Sequence, residues 1–270
     1  MSLTLLAGRE FSAAWALTAA VLLLGMGGVA RRAAGQAPEG YSLAWSDDFD
    51  GTALETSKWG YHSIGKRRDA VNIREAAKLD GEGHLVISTN KVMVDGKAQY
   101  QTAMIETRGK YERRFGYWEA RIKLQRQEGH WSAFWLMPTT MGKPVGNTAE
   151  GGAEIDIMEY HSKWMDGVLH TLHWDGYGED HKSTNKKVTV EGLHAGYHTF
   201  GLLWTAEKYV FYVDGKATWE TTAAISQRPQ YAILSLEVGT WAGEIGKAEL
   251  PDSMVVDYVR HYEKKAEGAK

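Results

Sequence analysis

Gly151-Gly-Ala-Glu154-Ile-Asp156-Ile-Met-Glu159-Tyr160 is the stretch on which the reading of this chain turns. Taken as a strand, it points Glu154 and Asp156 to one face and Ile155 and Ile157 to the other, because successive side chains alternate across a pleated backbone. Glu159 breaks that parity. Either its carboxylate projects unpaired into the apolar side, at high cost, or one residue near Met158 bulges and returns it to the acidic face. The bulge is the expectation. A helix does not rescue the pattern, since positions two and five apart do not share a helical face.

The same period of two recurs outward along the chain. It is seen in His84-Leu-Val-Ile-Ser-Thr89, Tyr117-Trp-Glu-Ala-Arg-Ile-Lys-Leu124, Tyr209-Val-Phe-Tyr-Val213, Tyr231-Ala-Ile-Leu-Ser-Leu236 and Met254-Val-Val-Asp-Tyr-Val-Arg-His-Tyr262. Asp95-Gly96 and Asp214-Gly215 follow apolar runs and signal hairpin turns. No segment carries a sustained helical stripe capped at both ends. Many short strands joined by Gly and Asp turns predict an all-β sandwich of two antiparallel sheets, of jelly-roll type.

Composition narrows the class of function. With 43% hydrophobic and 24% charged residues, the 270-residue chain has an ordinary globular balance. A net charge of -3 supplies no basic field for a nucleic-acid backbone. Eleven Trp and thirteen Tyr against six Phe favour rings whose polar edges need partners, some of them facing a wet groove. The absence of cysteine removes disulfides, thiolate nucleophiles and Cys-bound zinc. After Arg9, the apolar run Ala13 to Val29 is followed by Arg31-Arg32 and the small residues Ala33-Ala34-Gly35 and Ala37. Residues 1–37 therefore read as a cleaved export signal or, if uncleaved, a membrane anchor. Both place the domain in a secreted, extracellular or periplasmic setting. Residues 38–263 read as one domain, expected to be monomeric, with a polar tail at 264–270.

Three acids on one strand face repel each other, and folding alone does not recommend them. A retaining glycosidase needs two carboxyl groups about 5–5.5 Å apart, one to attack the anomeric carbon and one to donate and recover a proton. With one residue absorbed by a bulge, Glu154 and Glu159 lie about 13 Å apart at Cα, and long side chains on a curved sheet close much of that gap. Asp156 lies between them, placed to hold the nucleophile and raise the acid's pKa. A solvated acidic edge or a calcium site is the plainer alternative.

At this point the sequence resembles glycoside hydrolase family 16, laminarinase- and lichenase-like, in its bulged E-x-D-x-x-E form. The resemblance runs from Tyr41 to Tyr262. Besides Glu154-Ile-Asp156-Ile-Met-Glu159, it is carried by Leu43-Ala-Trp-Ser-Asp-Asp-Phe-Asp50, Lys58-Trp59, Phe115-Gly-Tyr-Trp-Glu-Ala-Arg-Ile-Lys123, Gly129-His-Trp-Ser-Ala-Phe-Trp-Leu-Met-Pro138, Tyr197-His-Thr-Phe200, Phe211-Tyr-Val-Asp-Gly215 and Val256-Asp-Tyr-Val-Arg260. It implies a concanavalin-like jelly roll with a concave glycan cleft, a polysaccharide substrate, Glu154 as nucleophile and Glu159 as acid/base. It also implies sugar contacts for Asn72, Glu106, Arg108, Trp131, Trp135, His173 and Trp241. Trp131 and Trp135 share a strand face opposite Phe134 and Leu136 and are equally readable as core rings. Glu106 and Arg108 are equally readable as an ordinary ion pair, and His173 as a structural histidine.

No cofactor is expected for catalysis. Several similar enzymes bind one structural calcium through a late-strand Asp, which Asp257 matches. Glu237 departs from the laminarinase-like pattern, which has a small residue there, and Lys66-Arg67-Arg68 faces either a sulfated chain or solvent. The resemblance thus implies an endo-acting 1,3- or 1,3(1,4)-β-glucanase, with a galactan hydrolase of agarase or carrageenase type, a transglycosylase and a lectin-like binding module as alternatives.

Overall fold

The computed structural model describes residues 37–266. The leader read over 1–37 lies, apart from Ala37, outside the described residues, as does the end of the tail. Among the described residues no helix is long and apolar enough to cross a membrane.

Among the described residues nineteen strands follow one another: β1 (Tyr41–Asp47), β2 (Gly60–Tyr61), β3 (Gly65–Arg67), β4 (Ala70–Asn72), β5 (Ala77–Leu79), β6 (Leu85–Val94), β7 (Lys97–Thr102), β8 (Met104–Glu106), β9 (Glu112–Arg113) and β10 (Gly116–Lys123). They continue with β11 (His130–Pro138), β12 (Ala153–His161), β13 (Gly167–Trp174), β14 (Lys182–Thr189), β15 (His198–Trp204), β16 (Tyr209–Val213), β17 (Lys216–Thr221), β18 (Gln230–Val238) and β19 (Asp252–Lys264). The last strand runs one residue past the domain end read at 263. Among the described residues the one α-helix, α1, is the single turn Thr148–Gly151.

The strands form two sheets, as expected. One has eleven strands in the order β17-β16-β15-β10-β19-β6-β7-β4-β3, with β1 added to β19 and β5 to β6. The other has eight in the order β14-β13-β12-β11-β18-β8-β2, with β9 on β18. All pairings are antiparallel except β4 with β7. Both predicted hairpins are present. Asp95 and Gly96 (φ 49° and 76°) join β6 to β7, and Asp214 and Gly215 (φ 49° and 72°) join β16 to β17, the left-handed pair that a two-residue hairpin requires.

The core lies between the sheets. Trp118, Ala120 and Ile122 of β10 and Val256 and Val259 of β19 meet Phe134 and Leu136 of β11, Ile155 and Ile157 of β12 and Leu234 and Leu236 of β18. Burial of such side chains contributes about 1.5–3 kcal/mol each and locks the period-two register, because a one-residue slip exposes a whole face. Alternate residues of β11 and β18, Ala133, Trp135, Tyr231 and Ile233, form with Met104 of β8 a second apolar layer on the outside of the eight-stranded sheet. That layer floors the site.

Candidate active site

A cleft of about 730 Å³ crosses the outer face of the eight-stranded sheet. Its floor runs from Ser183 and Asn185 on β14, through Thr171 and His173 on β13 and the acids of β12, to Trp131 and Trp135 on β11 and Ser235 and Glu237 on β18. The β12 strand is launched by a tight turn. Asn147 caps α1 by accepting from the Glu150 N–H, and Gly152 (φ 75°) then swings the chain into the sheet. A Cβ at Gly152 would lie 2.5 Å from Cγ of Pro138, so only glycine permits this approach of β12 to the end of β11.

The parity break is resolved by a bulge. Against β13, Asp156 pairs with Thr171 but Glu159 pairs with Leu169; against β11, Trp135 pairs with Asp156 and Phe134 with Met158. Three steps on β12 oppose two on β13, so Ile157 and Met158 both turn into the core. Glu154, Asp156 and Glu159 consequently all line the cleft. Ala133 lies opposite Glu159, and its small side chain leaves room beside that carboxyl.

Burial dominates the electrostatics. Burial raises Glu154 to about 7, opposed by a hydrogen bond from Tyr177 and reinforced by the charge of Glu237. Burial likewise raises Glu159 to about 7, opposed by Thr171, whose Oγ1 donates to Oε2 at 3.0 Å. Asp156 is pushed well above the usual carboxylate range by burial and then by Glu159 and Glu154. Its Oδ2 has no hydrogen-bond donor among the described residues; Nε2 of His173, 3.6 Å away, is too distant to serve as one. Burial, with His181 alongside, lowers His173 to about 4, so its ring is neutral at pH 7. Its Nδ1 is bonded to Nε2 of His181 at 2.9 Å.

The aromatic walls are well placed for flat sugar faces. Trp131 meets Trp241 edge to face at 5.2 Å, and Trp241 extends into a cluster with His161 and Trp164. Trp135 is fixed by Nε1 donating to Oγ of Ser235 at 3.1 Å. Glu237 is clamped by two cations: Arg67 binds it through Nε and Nη2 at 2.9 and 3.0 Å, and Nε of Arg68 donates to it at 2.7 Å. Arg68 also lies 5.2 Å over the Trp131 ring. Both arginines of the Lys66-Arg67-Arg68 run therefore turn toward the cleft.

Of the residues expected to contact sugar, Arg108, Trp131, Trp135, His173 and Trp241 line the cleft, and two do not. Asn72 is 1% exposed, on β4 of the other sheet. Glu106 stands behind the wall, its carboxylate engaged by Nδ1 of His62 at 2.7 Å and Nε of Arg108 at 3.4 Å, so it positions two cleft residues without lining the cleft itself. Asp257 lies on β19, in the sheet away from the cleft. It is fully buried, and Arg121 Nη1 donates to its Oδ2 at 2.5 Å. Among the described residues, Glu154, Asp156 and His173 have candidate donor atoms within 4.8 Å of one another.

Sequence reasoning passed over Tyr177, His181, Tyr231 and His62, all on the cleft wall. Asp175-Gly176, directly after the strand bearing His173, was the available signal for Tyr177: a left-handed turn returns the chain over the face it has just left.

A family model described as glycosyl hydrolases family 16 matches residues 66–260. The chain belongs to this family. It is 29% identical to glucan endo-1,3-beta-glucosidase A1 of Niallia circulans over 83% of the chain and 38% of that protein. It is also 29% identical to keratan-sulfate endo-1,4-beta-galactosidase of Sphingobacterium multivorum, over 82% of the chain and 55% of that protein. The chain thus spans about half the length, or less, of these two relatives. Among solved structures, the laminarinase catalytic domain of Thermotoga maritima superposes with a TM-score of 0.72 at 26% identity, covering 84% of this chain and 100% of that one. Membership classes the chain as a glycoside hydrolase, acting on O-glycosidic bonds.

Proposed function

We propose that this family 16 chain is an endo-acting, retaining hydrolase of β-linked glucan, cleaving 1,3- or mixed 1,3(1,4)-linkages. The observation that carries this reading is the bulge at Ile157–Met158, which brings Glu154, Asp156 and Glu159 onto one cleft wall. Glu154 attacks the anomeric carbon while Glu159 gives its proton to the leaving oxygen and the glycosidic bond breaks. Glu159 then takes a proton from water, which displaces Glu154 from the glycosyl ester. Asp156, unable to ionise freely between two glutamates, keeps a proton within the trio, so one carboxyl remains an acid while another is a nucleophile near neutral pH. Trp131 and Trp135 offer stacking faces, and a cleft crossing five strands suits a polymer better than a single sugar. The relative from Niallia circulans, named for endo-1,3-β-glucan cleavage, and the laminarinase of Thermotoga maritima support the glucan assignment.

A second reading, hydrolysis of a galactan bearing charged groups, is favoured by Arg67, Arg68 and Arg108 in the cleft and by the keratan-sulfate-degrading relative. Assays on laminarin, mixed-linkage glucan, agarose and carrageenan, with product sizing, separate the two. Internal cleavage of the glucans, lost in Glu154→Gln and Glu159→Gln, is expected. Exclusive cleavage of a sulfated galactan would replace glucan as the substrate and leave the mechanism standing, and undiminished activity in both variants would remove the mechanism.

A further inference from the structure

The loop between β13 and β14 contributes a side chain that the acid motif does not announce. Tyr177 is 61% exposed, yet its hydroxyl reaches down to donate to Oε2 of Glu154. An exposed ring with its polar end in the cleft is costly to hold still, and this loop is fastened at its base. Asp175 is buried, and its Oδ1 accepts the Gly146 N–H at 2.8 Å while its Oδ2 pairs with Nζ of Lys182 at 2.6 Å. Gly142 and Gly176 pack backbone to backbone beneath it: a Cβ at Gly142 would lie 2.6 Å from Cα of Gly176. These ties span both loops flanking the entry to β12, so Tyr177 and Glu154 are presented to each other from a common base.

We propose that Tyr177 is a positioning residue for the nucleophile: its hydroxyl holds Oε2 of Glu154, leaving the other oxygen to attack the anomeric carbon. The inference rests on Glu154 being the nucleophile. In the first step the carboxylate loses charge as its free oxygen forms the ester bond, and in the second it regains charge as water displaces it. A fixed donor on Oε2 favours the ionised carboxylate before attack and its departure afterwards. Several other groups face Glu154. Asp156 and Glu159 lie beside it on β12; Glu237, from β18, raises its proton affinity, and Arg67 and Arg68, from the turn at β3, lower it. His173 on β13 is neutral at pH 7 and bonded to His181. Tyr177 is the uncharged donor within this group that bonds Glu154 directly. Its own ionisation is suppressed by burial of the hydroxyl and the adjacent carboxylate, so it remains a donor across the working range.

The test is Tyr177→Phe in the full chain, a change that keeps the exposed ring and removes only the hydroxyl. Turnover is expected to fall roughly tenfold to a hundredfold, the weight of one hydrogen bond to a charged group. The acid limb of kcat/KM is expected to move to higher pH, because the bond that favoured the carboxylate is gone. A ring needed only for packing would move neither. Infrared titration of the Glu154 carboxylate, isolated as the difference between the unaltered chain and Glu154→Gln, reads the same shift without any substrate. A titration that moves upward in the Tyr177→Phe background supports the proposal whatever glycan the enzyme cuts. An unmoved titration overturns it. Inactivity of the unaltered chain on every β-glucan would instead count against the glucan assignment alone.

Discussion

Two buried acids on opposite sheets of this molecule meet opposite treatment. Glu119 on β10 is 2% exposed, and both of its oxygens are satisfied: Oε2 accepts from the Tyr117 hydroxyl at 2.9 Å and Oε1 from Tyr258 at 2.7 Å. Asp156 on β12 is 5% exposed, flanked by two further acids, and its Oδ2 accepts from no described donor. A fold that supplies donors to one buried carboxyl and withholds them from another does not lack the means. On the proposed mechanism the difference separates a carboxylate kept for structure from carboxyls kept for chemistry, since an unsatisfied buried acid costs stability and is retained where its proton is used.

That contrast breaks if the two classes of acid respond alike to mutation. Glu154→Gln and Glu159→Gln should each lower turnover by at least about a thousandfold while the fold survives, checked by steady-state kinetics beside circular dichroism. Glu119→Ala should do the reverse. It strands two tyrosine hydroxyls beneath the surface and is expected to cost about 2–4 kcal/mol, read as a fall in Tm with kcat per folded molecule unchanged.

The pH dependence of stability sharpens the contrast further. Glu154 and Glu159 are raised from 4.5 to about 7 in the folded chain, so between those values the folded state binds more protons than the unfolded one. Stability contributed by these groups is therefore present at low pH and lost as pH rises through that window. Glu159→Gln removes one such group and should stabilise the domain above pH 7 by on the order of 1–3 kcal/mol, seen as a higher Tm at pH 8 and little change at pH 4. The smallest effect belongs to Thr171→Val. Loss of its bond to Glu159 should raise the acid's pKa, moving the basic limb of kcat/KM upward by up to about one unit with a modest change in kcat.

The parts of the site carried by strands were legible in the sequence because a period of two assigns each side chain to a face. Trp131 and Trp135 separate from Phe134 and Leu136 on that rule alone, and Glu159, by breaking it, announced the bulge. What the sequence concealed came from loops and from distant pairing. Tyr177 reaches Glu154 only because the backbone at Asp175 and Gly176 is left-handed. Glu237 looked like a departure from pattern until Arg67 and Arg68, about 170 positions earlier, closed on it. Asn72 and Asp257 carry the right chemical types for sugar and cation, yet both are buried in the sheet away from the cleft, a placement that spacing does not reveal.

The central claim, that Glu154 is the nucleophile of a double displacement, is tested most directly by trapping the intermediate. A 2-deoxy-2-fluoro glycoside with an activated leaving group, added to Glu159→Gln, should yield a glycosyl ester that peptide mapping by mass spectrometry places on Glu154. A sugar ester on another residue, or release of product with inverted anomeric configuration by the unaltered enzyme, would contradict it.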